Sequence, residues 1–164
     1  MTSKKSSTTP GRVDGQMTGL AGELFVAAEL LKRGLQTSVT FGNAKSIDLL
    51  AFNPEIERSF TVQVKAIRKK NVFPIAHKNV NPLHVYVFVI LNSIDEAVQY
   101  FVVPGAVLAN EPERFVLRWF TDTKFPGINW RILHKEGFEN AWHVFHQPQS
   151  ANNALQAMCE NARA

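Results

Sequence analysis

Apolar residues in this chain follow two periods. Leu20, Leu24, Ala27, Ala28 and Leu31 recur every three or four positions, which predicts an amphipathic helix over residues 18–33 with these side chains on its buried face. Thr18 is placed to cap its start, and Gly34 to take the left-handed conformation at its end. Glu29, Lys32 and Arg33 fall on the opposite side. Beyond Gly34 the period shortens toward two, and strands are predicted over residues 35–41, 46–53 and 59–67. A Gly42-Asn43 turn separates the first two, and residues 54–58 form a hairpin connection between the second and third. Residues 68–82, broken by Pro74 and Pro82, read as a loop. Residues 83–91 are continuously apolar, as in a strand buried on both faces, and residues 97–103 form a fifth strand. Pro104 opens a short helix to about residue 110. Residues 115–120 and 130–133 are read as strands and residues 138–145 as a helix. The order gives an α/β chain of mixed α+β architecture.

Length and composition narrow the class. The 164 residues, 45% hydrophobic, suit one packed domain, here residues 17–146. Residues 1–16 are Ser-, Thr-, Lys- and Gly-rich and are expected to be a disordered arm; residues 147–164 are expected to be a polar tail. No apolar run nears the ~20 residues needed to cross a bilayer, and no apolar stretch of signal-peptide type follows Lys4 and Lys5. With Cys159 alone there is no internal disulfide framework, which fits a reducing compartment, so a cytoplasmic protein is expected. The formal charge of +4 is unevenly placed. Residues 58–94 hold Arg58, Lys65, Arg68, Lys69, Lys70 and Lys78 and no acid. A local field of that sign attracts phosphate backbones. His143 and His146, at i and i+3, with His134 upstream, have zinc-like spacing on a helix, but no cysteine or acid completes the set. A glycine-rich phosphate loop is absent from the sequence.

Strand alternation places Phe60, Val62, Val64 and Ala66 on one face and Thr61, Gln63, Lys65 and Ile67 on the other. Asp48 is embedded in Ile47, Leu49, Leu50, Ala51 and Phe52, where a lone carboxylate is costly unless paired or metal-bound. The hairpin brings it toward Gln63 and Lys65. Glu23 lies about 60° around the helix from Leu20, at the margin of the predicted apolar stripe. Two acids from separate elements thus converge on a lysine and an amide.

Gly22-Glu23, Ser46-Ile47-Asp48-Leu49-Leu50 and Val62-Gln63-Val64-Lys65 resemble, in order and spacing, the motifs of the PD-(D/E)XK nuclease superfamily. The resemblance covers residues 19–66 well and residues 83–145 loosely. It implies a restriction-endonuclease-like core with a central mixed sheet of about five strands flanked by helices. It also implies a divalent metal, Mg2+ or Mn2+, held by Asp48, Gln63, Glu23 and the Val64 carbonyl, with Lys65 orienting the attacking water. The activity implied is hydrolysis of phosphodiester bonds by an endonuclease acting on DNA, with Arg68, Lys69, Lys70 and Lys78 on the nucleic acid. A homodimer or higher homo-oligomer is plausible by analogy with enzymes that cut two strands. Two features depart from the family: Ile47 replaces the usual proline, and Gln63 stands where an acid is usual. Gln63 keeps open a catalytically inactive nucleic-acid-binding module, or a subunit of a larger assembly, on the same fold.

Overall fold

The computed structural model describes residues 11–40 and 47–148, without the side chains of residues 11–14, 117 and 118. A five-stranded mixed sheet runs in the order β1 (Gln36–Val39), β2 (Leu49–Asn53), β3 (Arg58–Ile67), β5 (Val85–Ile90), β6 (Gln99–Pro104). β1, β2 and β3 form an antiparallel meander, β5 is parallel to β3, and β6 is antiparallel to β5. The connection between the parallel strands holds no α-helix. It carries the three-residue strand β4 (Val72–Pro74) and one 3-10 turn (His77–Asn79), and β4 pairs with β7 (Gly127–Asn129) in a small second sheet. The predicted Gly42-Asn43 turn, residues 1–10 of the expected arm and the expected tail from residue 149 lie outside the described residues, while residues 11–16 of that arm are helical.

The central sheet divides two cores. On one face, helix α1 (Gly11–Lys32) and a 3-10 turn (Trp142–His146) cover Leu49, Phe60, Val62, Val64, Val87 and Val102. On the other, Tyr86, Phe88, Ile90, Phe101 and Val103 pack beneath β4, β7, the short helices α2 (Gly105–Asn110) and α3 (Leu117–Phe120), and α4 (Trp130–Lys135). Each β5 residue is buried, as its unbroken apolar run predicts for a strand covered on both sides.

Three readings of the sequence are corrected. The helix starts at Gly11, seven residues before the predicted cap, so Thr18 is internal; it is buried and accepts a 3.0 Å hydrogen bond from Arg68 Nε. The helix also presents a different face to the sheet. Gly22, Val26, Ala27 and Leu30 are buried, while Leu20, Leu24 and Leu31 are exposed. The reason is Gly22: its bare Cα meets β3 so closely that a Cβ there would lie 2.4 Å from Ala66 Cβ. Glu29 and Arg33, expected to face away, are half-buried as an ion pair, with the Arg33 guanidinium 4.4 Å over the Trp142 ring. The end of α1 is as predicted: Gly34 has φ 84°, its N–H donates to Leu31, and Leu35 N–H donates to Leu30, satisfying the last carbonyls.

The third correction concerns the C-terminal half. Residues 115–120 are not a strand, because Val116 takes φ 58° and splits them between a 3-10 turn (Pro112–Phe115) and α3. That break inserts both Phe115 and Phe120 into the core in edge-on contact. Residues 130–133 are helical, since Asn129 accepts from Arg131 N–H at 3.0 Å and caps α4. Residues 138–145 form no α-helix: Glu139 makes an isolated bridge to Phe101, and the 3-10 turn follows.

Candidate nuclease-type site

The site begins where the sheet comes apart. The β2–β3 ladder ends at Leu49 opposite Val62. One residue earlier, Asp48 N–H still donates to Val62 carbonyl at 3.0 Å, and Thr40 N–H donates to Asp48 carbonyl at 2.9 Å. The next rung is not made by backbone: Val64 N–H donates to Asp48 Oδ2 at 2.6 Å. The Asp48 side chain thus takes the place of a strand partner, and a short charge-assisted bond fixes its carboxylate. In an extended strand a residue's N–H and C=O point to the same edge, so the Val64 carbonyl also opens into this gap. This explains an aspartate inside an apolar run: it replaces a ladder hydrogen bond at a divergence of two strands.

Gln63 and Lys65 flank Val64 on the sheet face away from α1, half-buried as alternation predicts. They form part of the wall of a cleft of about 890 Å3 whose other side includes Pro74, Asn79, Lys124 and Phe125. Glu23 comes from α1, one residue beyond the Gly22 contact. Burial pushes its carboxyl above the ordinary 4.5, the Asp48 charge raises it further, and Lys65 opposes them. The three groups therefore share one electrostatic neighbourhood, although Glu23 and Asp48 are not among the residues lining the cleft. Asp48 stands at the strand gap with Gln63 and Lys65 on the cleft side of β3, and Glu23 is coupled to Asp48 and Lys65 by charge.

His84 was not singled out by its sequence context. It directly precedes β5 and is buried, its Nε2 lies 3.1 Å from Asn81 Nδ2, and its Nδ1 has no hydrogen-bond partner among the described residues. Burial lowers its pKa, with the Asp48 charge pulling the other way. The available signal was a histidine at the head of a wholly apolar strand. Lys124 and Phe125 were also missed, because only the second sheet carries their loop to the cleft.

Arg68, Lys69, Lys70 and Lys78 are all exposed, but they are not equivalent. Arg68 is tied to Thr18, and Lys70 Nζ lies 4.9 Å over the Trp130 ring. Lys78 lies on the 3-10 turn beside the cleft residue Asn79. Of the histidines spaced as for zinc, His143 is exposed, while His134 Nδ1 meets Glu139 at 2.5 Å and His146 meets Asn53 and Glu55.

Among the described residues, no group of three or more His, Cys, Asp or Glu could hold a metal ion. Magnesium differs from zinc here: it takes one or two carboxylates, keeps several waters and shares substrate phosphates. Asp48 and Glu23, whose charges are coupled, suit that open mode, in which the Val64 carbonyl at the gap would be a neutral donor. They do not fit a closed cage.

No family model and no curated protein matches the chain. Among solved structures, a bacterial homing endonuclease is similar over 88% of this chain and 96% of its own, with a TM-score of 0.48 and 18% sequence identity. No described helix is long and apolar enough to cross a membrane.

Proposed function

We propose that this chain is a metal-dependent endonuclease of the PD-(D/E)XK type that hydrolyses phosphodiester bonds in DNA. The observation that carries the reading is the gap between β2 and β3, where Asp48 replaces a strand partner of Val64 with Gln63 and Lys65 on either side. Asp48 and Glu23 would hold the divalent cation, Mg2+ or Mn2+, with the Val64 carbonyl and the Gln63 amide as neutral donors. When bound, the cation polarises the scissile phosphate and makes a coordinated water acidic. Lys65 stands next in the strand, on the cleft side, where its ammonium offsets phosphate charge and orients the attacking water. The cleft beside Gln63 and Lys65 admits the backbone, and Lys69, Lys70 and Lys78 hold it by charge. The amide at Gln63 brings no charge to the cation, so cation binding is weaker than with an acid there.

The deciding experiment incubates purified wild type and Lys65→Ala with supercoiled plasmid in magnesium, manganese or EDTA. Nicking by wild type with either metal, absent in EDTA and reduced at least 100-fold in Lys65→Ala, is expected. Equal cutting by the two proteins, or cutting in EDTA, rules the mechanism out. A second reading, a binding module without catalysis, is favoured by the neutral Gln63 amide. It requires salt-sensitive DNA binding that is indifferent to magnesium, and no cutting.

A further inference from the structure

Helix α1 has two apolar faces, and among the described residues only one is packed against the sheet. Between residues 15 and 31 every exposed position is uncharged. Met17, Leu20, Leu24, Phe25 and Leu31 are each 46–59% exposed. The two acids in this stretch, Glu23 and Glu29, are half-buried. Together the five large side chains present on the order of 500 Å2 of apolar surface, the size of the largest patch a monomer ordinarily leaves open, and such patches often serve as contact sites.

We propose that this face pairs with α1 of a second copy of the chain, antiparallel, about a two-fold axis at Leu24. The argument is the order of the stripe. Met17, Leu20, Leu24, Ala28 and Leu31 are spaced three, four, four and three residues apart, a pattern that reads the same from both ends. Antiparallel pairing centred on Leu24 therefore sets Met17 against the partner's Leu31, Leu20 against the partner's Ala28, and Leu24 against itself. A two-fold contact requires this self-complementarity, and steps of three and four residues keep the stripe on one face of the helix. Two such faces bury roughly 1,000 Å2 before flanking contacts, the size at which a specific interface begins. A lipid surface is a poorer occupant, because an interfacial helix carries Lys and Arg along its polar face, and here that side is packed on the sheet. The pairing does not depend on the nuclease reading, but it ties the two together: Glu23 precedes the axis residue, so the partnered helices carry one acid of each site.

The test is mass in solution together with directed cross-linking. Sedimentation equilibrium of wild type should give twice the 18.4 kDa chain mass. Leu24→Glu, which sets two carboxylates face to face, should give a monomer with an unchanged far-UV circular dichroism spectrum and at least a 100-fold weaker association. In a Cys159→Ser background, mild oxidation should cross-link Leu24→Cys to itself. Met17→Cys should cross-link with Leu31→Cys in a mixture, and neither should do so alone. A wild type that stays monomeric at hundreds of micromolar overturns the proposal. So does a dimer whose Leu24→Cys form does not cross-link, or whose Met17→Cys form cross-links to itself, which is the mark of parallel pairing.

Discussion

Asp48 and Glu23 show how a single residue's surroundings set its chemistry. Asp48 has one carboxylate oxygen committed to the Val64 N–H, so its charge is held in place. Glu23 is raised above 4.5 by burial and by Asp48, so its ionised form is the strained one. The sign follows from linkage. A carboxyl raised in the folded state adds stability below 4.5, and that stability is lost as pH rises through the folded value. At pH 7 an ionised Glu23 therefore opposes folding of the metal-free protein. Glu23→Gln is expected to raise the metal-free Tm at pH 7 by roughly 1–4 °C, with the gain vanishing as pH is lowered toward 4.5. The same variant should lose most of the stabilisation that magnesium gives wild type. Thermal melts at the two pH values, with and without magnesium, check both. An identical gain at both pH values would mean that the charge of Glu23 is not the cause.

At the scale of elements, the position of α1 on β3 decides where Glu23 stands. Gly22 is the contact, with room for no Cβ against Ala66. Gly22→Ala forces the helix off the sheet, and overpacking of this kind costs about 1–3 kcal/mol, more than the gain in helix propensity returns. Adding Ala66→Gly removes the clashing methyl and should recover part of the loss, a coupling read from a double-mutant cycle of denaturation midpoints. Nicking activity should fall further than stability in Gly22→Ala, because the displaced turn carries Glu23 with it. Strictly additive single effects would show that the two residues do not limit each other. The same contact explains the corrected helix face. Periodicity alone marks an apolar stripe, but α1 has a stripe on either side, and the tighter approach at Gly22 selects the one holding Val26 and Leu30.

On the scale of the molecule, charge and topology act together. The connection between the parallel strands β3 and β5 carries Arg68, Lys69, Lys70 and Lys78 past the cleft. If these lysines meet phosphates, each one removed should flatten the dependence of log affinity on log salt by about 1. The Lys69→Ala, Lys70→Ala, Lys78→Ala triple variant should therefore bind duplex DNA more weakly with a slope shallower by about 3. Arg68 is left in place because it is bound to Thr18. Fluorescence anisotropy across a salt series measures this, and an unchanged slope would put the DNA elsewhere on the surface.

The five strands of the central sheet, the hairpin between β2 and β3, the buried β5 and the end of α1 at Gly34 were legible in the sequence. They rest on local rules: period-two alternation, a continuous apolar run, a glycine free to take positive φ. The place of three candidate residues was legible for a related reason, since Asp48 violates the pattern around it and Gln63 and Lys65 obey alternation. What α1 buries, where it begins, and the broken helical path of residues 112–135 were not. Each depends on a partner distant in sequence: Ala66 for Gly22, Arg68 for Thr18, the second core for Phe115 and Phe120. His84 and Phe125 belong to the same group. A local pattern fixes the kind of element a segment becomes; only packing between elements decides which face is covered, where strands part, and which side chains meet at the gap.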